Sequence, residues 1–271
     1  MRLRGASDSA RLDAELLLAH ALGWRRVRLY GDATAAVRPE IAARFLRLVE
    51  ERRAGRPVAQ LLGEREFWSL SLKVTQDVLV PRPETEMLVE CALRRLPPDD
   101  PGPVLDLGTG SGAIALALAS ERPVARIVAT DFSEAALNVA RYNAASLGCG
   151  QIDFRFGDWF RAAGDERFRL VVSNPPYLTD QEWLLRRYEL GYEPSLALRG
   201  GRDGLLAIRR IVAEAPAQLA EGGWLLIEHG FRQGPAVARL FQDAGFEHIA
   251  TYRDLPGRPR VTEGCWPADT A

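Results

Sequence analysis

Two clusters in this chain combine residue types and spacing that could do chemistry. The first is Asn174-Pro175-Pro176-Tyr177, which closes the apolar run FRLVVS. Proline gives no hydrogen bond to a sheet ladder, so a strand reaching this point must stop. The tetrapeptide sets a side-chain amide (Asn174), a backbone carbonyl (Pro175) and a phenol (Tyr177) on a backbone stiffened by Pro175 and Pro176. The second cluster is DLGTGSG, whose Gly108, Gly110 and Gly112 alternate with Thr109 and Ser111. Its glycines permit a tight turn and a close backbone approach to a ligand, with a helix N-terminus behind them. Asp131 ends the next apolar run about 20 residues on, where a carboxylate reaches ribose hydroxyls.

A glycine loop followed by an acidic residue indicates a nucleoside ligand but leaves its identity open. Read as Gly108-x-Gly110-x-x-Ala113, the loop also satisfies the dinucleotide fingerprint. The segment GDWF adds Asp158, which could accept from an adenine amine, and Trp159, which could pack against the ring. What separates the candidates is the proline tetrapeptide. A planar –NH₂ group conjugated to a carbonyl or an aromatic ring has a delocalised lone pair and is a poor nucleophile. Methyl transfer to it from a sulfonium requires nitrogen, methyl and sulfur in line. Asn174 and Pro175 offer two carbonyl acceptors for the two N–H bonds, and Tyr177 offers a flat face. A dehydrogenase gives this tetrapeptide no role, and a binding module without catalysis does not need it.

The elements that must position these residues fall into three regions. Within residues 1–65 the pattern is helical: SDSARLDAELLLAHALG starts with Ser7 and Asp8 as caps and stops at Gly23, and RPEIAARFLRLVEERRAG has Pro39 at its first turn. Residues 66–82 read as a β-hairpin linker, with EFWSLSLKV and DVLVPRP as its strands. From residue 83 to 271, a helix at RPETEMLVECALRRL leads into alternating apolar strands and helices, so a parallel sheet covered on both faces is expected.

Composition narrows the function classes. The chain has 271 residues, 47% of them apolar, with a net charge of −1, so no overall basic field recruits nucleic acid or anionic membrane. The three cysteines, Cys91, Cys149 and Cys265, form no C-x-x-C pair, which suits a reducing compartment without disulfide or zinc. His20, His229 and His248 have no metal-ligand spacing. No run reaches the length of a membrane span, so a cytoplasmic protein is expected.

DLGTGSG, Asp131, GDWF and NPPY, in this order, resemble the class I S-adenosylmethionine-dependent methyltransferases of planar nitrogens. PRPETE at 81–86, GYEPSLALRGGRDGL at 191–205 and DLPGRPRV at 254–261 narrow the resemblance to the release-factor glutamine N5-methyltransferases. It implies a Rossmann-like seven-stranded domain behind a small helical substrate-recognition domain, with S-adenosylmethionine as cofactor. Gly108, Thr109, Gly110, Ser111 and Gly112 would cradle that cofactor, with Asp131 on its ribose, Asp158 and Trp159 by its adenine, and Asn174 at the reacting end. Asn174, Pro175, Pro176 and Tyr177 would hold the glutamine carboxamide of the Gly-Gly-Gln loop of a peptide-chain release factor, with neither nucleic acid nor membrane as a stable partner. Two readings share this chemistry: a ribosomal-protein glutamine methyltransferase, and an amino-methyltransferase acting on a flipped adenine or guanine of DNA or RNA.

Overall fold

The computed structural model describes residues 9–32 and 34–268. It opens with four helices: α1 (Ala10–Leu22), α2 (Arg28–Gly31), α3 (Pro39–Arg53) and α4 (Val58–Leu62). Leu17, Val49 and Leu61 form their small core, and Asp13, buried on α1, pairs with Arg52 of α3 at 2.8 Å. Gly23 ends α1 in a left-handed cap, as its position suggests, while the Ser7–Asp8 cap falls outside the described residues.

The hairpin differs from the expected one. Its strands β1 (Glu64–Phe67) and β2 (Leu70–Lys73) both lie within EREFWSLSLK, pairing Phe67 with Leu70. Trp68 and Ser69 form the two-residue turn, both at positive φ (51° and 59°), a geometry usually supplied by Asn-Gly or Asp-Gly. DVLVPRP contains no strand. Its alternating Val78 and Val80 are buried against Ala136 and Val139, so the period of two there serves packing on a helix.

Next come a 3₁₀ turn at Pro83–Thr85 and α5 (Glu86–Arg95), then β3 (Val104–Leu107), α6 (Ala113–Glu121), β4 (Ile127–Asp131), α7 (Glu134–Leu147) and β5 (Asp153–Phe156). The second half runs β6 (Phe168–Ser173), α8 (Asp180–Leu190), α9 (Leu206–Gln218), β7 (Leu219–Glu228), α10 (Gly234–Asp243), β8 (Glu247–Arg253) and β9 (Pro259–Cys265). The sheet has seven strands in the order β5-β4-β3-β6-β7-β9-β8. Every pairing from β5 to β7 is parallel, but β9 runs antiparallel to both neighbours. The sheet is therefore mixed rather than purely parallel. The link from Arg253 to Pro259 is too short for the crossover that two parallel strands need. Helix α6, buried from Ala113 through Ala119, is apolar all round because it lies inside the core shared by the sheet, α5 and the hairpin.

The far half of the sheet is tied to α5 by an ion pair whose acid is buried and whose arginine is partly exposed. Glu263 on β9, 1% exposed, is held by Arg95, whose guanidinium lies 3.5 Å from the Trp224 ring centroid, and accepts from the Tyr252 hydroxyl at 2.7 Å. Removing one partner of such a pair strands a buried charge, at a cost of about 3–5 kcal/mol. Arg95→Leu is expected to lower the unfolding free energy by that amount in urea titrations; an unchanged midpoint would contradict the assignment.

Candidate active site

The glycine loop leaves the carboxyl end of β3. The Gly108 and Thr109 N–H groups both donate to the Thr130 carbonyl on β4 at 2.9 Å, folding the loop over the neighbouring strand. Gly108, Gly110 and Gly112 all have positive φ, which a side chain would resist. Asp131 accepts from the Gly110 N–H and, with its other oxygen, from the Ser133 N–H, both at 2.8 Å. Burial raises its pKa, and the Ser133, Gly110 and Phe132 N–H groups oppose that rise. Asn143 on α7 supports the loop from below, donating to the Ser111 carbonyl at 2.9 Å and bonding both backbone groups of Lys73 on β2.

Thr109 faces inward, donating its hydroxyl to Asp106 at 2.7 Å. Asp106 is fully buried, and its Oδ1 has no hydrogen-bond partner among the described residues. Burial pushes its pKa up to about 7, against the pull of the Thr109 hydroxyl and the Ala115 N–H. A lone buried carboxylate oxygen beside a glycine cradle fits a cationic or donor-bearing ligand. Trp159, at φ 50°, leans on the core with its ring edge 3.4 Å from where a Cβ on Gly108 would stand. Asp158 takes Arg210 of α9 on both oxygens, at 2.9 and 2.8 Å. Next to Asp131, Phe132 and Phe156 stack at 6.0 Å while more than half exposed, an open aromatic surface beside the loop.

Asn174 leaves β6 one strand away. The Ser173 hydroxyl donates to the Leu107 carbonyl at 2.8 Å, joining the start of the tetrapeptide to the start of the glycine loop. Asn174 donates its Nδ2 to the Thr85 hydroxyl oxygen at 3.1 Å, and its Oδ1 accepts no hydrogen bond among the described residues. The same holds for the Pro175 carbonyl. The Tyr177 hydroxyl stands 3.4 Å from Glu228, and burial raises its pKa, so the phenol stays protonated.

The segments flanking the tetrapeptide prove to be its supports. Glu193, buried in the second of them, binds the Arg82 guanidinium of the first and the Val80 N–H just before it. Gln233 donates to the carbonyls of Tyr177, Asp203 and Gly204. A Cβ on Gly200 would come within 2.7 Å of the Pro176 carbonyl, and one on Gly204 would collide with that of Tyr177. The GGRDG run thus lies backbone to backbone against the tetrapeptide.

Asn174 and Tyr177 open onto a cleft of about 1440 Å³, bordered by Arg52 and Pro57 of the helical region, Arg82, α8 and Phe231. Gln60 of α4 donates to the Tyr192 carbonyl at 2.9 Å, tying the helical region to the segment after α8. Asn174 therefore has the glycine loop on one side and the cleft on the other.

Comparisons with known proteins give the family and the fold. The methyltransferase small domain family matches residues 84–187, and the PrmC N-terminal domain family matches residues 1–63. The release factor glutamine methyltransferase of Xylella fastidiosa (strain 9a5c) is 49% identical over 257 residues, 95% of this chain and 94% of that protein. That of Escherichia coli (strain K12) is 44% identical over 259 residues, covering 96% and 93%. The chain belongs to the release factor glutamine methyltransferases. A methyltransferase structure from Pyrococcus furiosus, 17% identical, shares the fold with a TM-score of 0.56 over 73% of this chain and 89% of that one.

For this methyltransferase, the sequence clusters contain the loop, Asp131 and the tetrapeptide, and the structure brings them to one edge of the sheet. Asp106, Thr85, Glu228 and Asn143 escaped sequence reading. The signals were a carboxylate inside each of two apolar runs, VLDL and LLIE, and polar residues that look like ordinary helix positions. Gly204→Ala tests the backbone packing. A side chain at its φ of 75° costs about 1–2 kcal/mol before any clash. Denaturant unfolding should show at least that loss together with a reduced kcat; wild-type behaviour in both would refute the packing argument.

Proposed function

We propose that this chain transfers a methyl group from S-adenosylmethionine to the side-chain amide nitrogen of the glutamine in the Gly-Gly-Gln motif of peptide chain release factors. The observation that carries the chemistry is the Asn174 amide: its Nδ2 is spent on Thr85 while its Oδ1 accepts from no described residue, beside a cleft wide enough for a protein loop. Family membership over nearly the whole chain supports glutamine over adenine as the acceptor. We assign the helical region within 1–65 to substrate recognition, since it borders the cleft that the tetrapeptide faces.

S-adenosylmethionine, when bound, supplies an electrophilic methyl group on a sulfonium. Gly108 to Gly112 would cradle it, with Asp131 toward its ribose, Trp159, Asp158 and Phe132 near its adenine, and Asp106 facing its positive charge. The chain's own work is on the acceptor. Asn174 Oδ1 and the Pro175 carbonyl accept from the two N–H bonds of the carboxamide, and both bonds strengthen as positive charge grows on nitrogen. That differential favours the transition state over the flat, conjugated ground state. The stiff backbone of Pro175 and Pro176 keeps both acceptors in place, and the protonated Tyr177 ring packs on the amide plane.

We place the protein in the cytoplasm, with release factors as its partners and no stable nucleic-acid or membrane partner. Among the described residues no helix is long and apolar enough to cross a membrane.

Labelled cofactor should mark a purified release factor and leave unmarked a version whose target glutamine is alanine. Efficient labelling of DNA or RNA with no release-factor signal would reverse this reading. In the same assay Asn174→Ala should lower kcat by roughly 10²-fold or more with cofactor affinity kept; substantial turnover would remove Asn174 from its role.

Cofactor affinity should also depend on pH. Asp106, held near neutrality by burial, is ionised above about pH 7 and neutral below it, so attraction for a cation grows as pH rises. Calorimetry from pH 8 to pH 6 should show affinity falling, by roughly tenfold at most for one group a unit below its pKa. Asp106→Asn should level the profile; an unchanged slope would place the titrating group elsewhere.

A further inference from the structure

The Asn174 carboxamide could sit either way round. One orientation presents Oδ1 to the substrate amine and accepts from it; the other presents Nδ2, a donor facing donors. The geometry behind Asn174 selects the productive one. Its Nδ2 meets the Thr85 hydroxyl oxygen at 3.1 Å, and Thr85 is 4% exposed at the turn preceding α5. Beyond Thr85 lies Glu228 at the end of β7, 1% exposed. The register that pairs Ser173 with Ile227 sets Glu228 beside Asn174. Glu228 Oε1 faces the Tyr177 hydroxyl, and Oε2 is buried with no hydrogen-bond partner among the described residues.

We propose that Glu228 and Thr85 are positioning residues that set the orientation of the Asn174 amide. An ionised carboxylate can only accept hydrogen bonds. The Thr85 hydroxyl lies near enough to pull on the Glu228 pKa, and Oε2 is the oxygen left over, so in the relay Oε2 takes the single Thr85 proton. Thr85 is left with lone pairs alone to offer Asn174, and only Nδ2 can satisfy them. Oδ1 is thereby turned outward. The order runs in one direction, from carboxylate to hydroxyl to amide to substrate, and each link follows from the donor inventory of the one before.

The relay belongs to the ionised form of Glu228, which its surroundings leave dominant only above about pH 7. Burial pushes its pKa up to about 7, while the Thr85 hydroxyl, the Arg260 guanidinium and the Tyr177 hydroxyl pull it down and Glu84 raises it. A carboxylate in this place serves packing poorly, because burying an acidic group costs free energy that an apolar side chain would not. The price is met where the amide needs a fixed direction.

This inference rests on the proposed methyl transfer to a carboxamide, and two readouts separate them. Thr85→Val keeps shape and removes the hydroxyl; Thr85→Ser keeps the hydroxyl. With the release factor as substrate, Thr85→Val should lower kcat by roughly tenfold or more. Its KM and its calorimetric cofactor affinity should stay within about twofold of wild type. Thr85→Ser should retain most of kcat. Glu228→Gln offers a donor as well as an acceptor, so it should lower kcat alone yet add little on top of Thr85→Val, because both act through one amide. Full turnover in Thr85→Val, a loss in Thr85→Ser equal to that in Thr85→Val, or additive losses in the double variant would each overturn the relay. The second readout needs no substrate. The Asn174 side-chain amide resonances, assigned by their disappearance in Asn174→Ala, should move in Thr85→Val and hold in Thr85→Ser. A wild-type enzyme that leaves release factors unmodified would refute the proposed function, and these resonances would still decide the relay.

Discussion

One row of the sheet sets the geometry of everything else. Thr130, Leu107, Ser173 and Ile227 lie side by side across β4, β3, β6 and β7. The residue after each is Asp131, Gly108, Asn174 or Glu228. With strands about 4.8 Å apart, four candidate site residues emerge at one level along roughly three strand spacings. Parallel pairing makes this possible, because all four chains arrive from the same direction and must turn away at the same edge. A slip of one residue in any pairing would bury one of these groups on the wrong face.

That edge concentrates buried carboxylates. Asp106 and Glu228 both lie in apolar strands, are fully enclosed, and have pKa values pushed up to about 7 by burial. Structural ion pairs elsewhere are treated differently: Glu263 and Glu193, equally buried, each hold an arginine. The contrast separates acids that anchor the fold from acids kept incompletely satisfied. The first kind closes its hydrogen bonds within the chain. The second leaves an oxygen over, and in both cases that oxygen lies by the glycine loop or by the tetrapeptide.

Much of this was legible in the sequence, for reasons that particular residues make plain. The strand-and-helix alternation after Val104 and the glycine loop follow from local periodicity and steric rules, so they read directly. The hairpin did not, because its turn is made by Trp68 and Ser69, neither of which advertises positive φ. Helix α8 gave no expectation either: its Thr179–Glu182 capping box is present, but Leu184, Leu185 and Tyr188 face solvent instead of forming a buried stripe. Thr85, Glu228 and Gln233 act through contacts between residues 50 or more positions apart, which no local pattern encodes.

Asn143 is a small feature with a long reach. Its single side chain holds Lys73 of the hairpin by both backbone groups and the Ser111 carbonyl of the glycine loop. The hairpin follows α4 after one residue, Gly63, whose carbonyl accepts from Val74. Helical region, hairpin and glycine loop are thus joined by a short chain of hydrogen bonds that centres on α7. A displacement of the helical end would therefore reach the glycine loop through one amide.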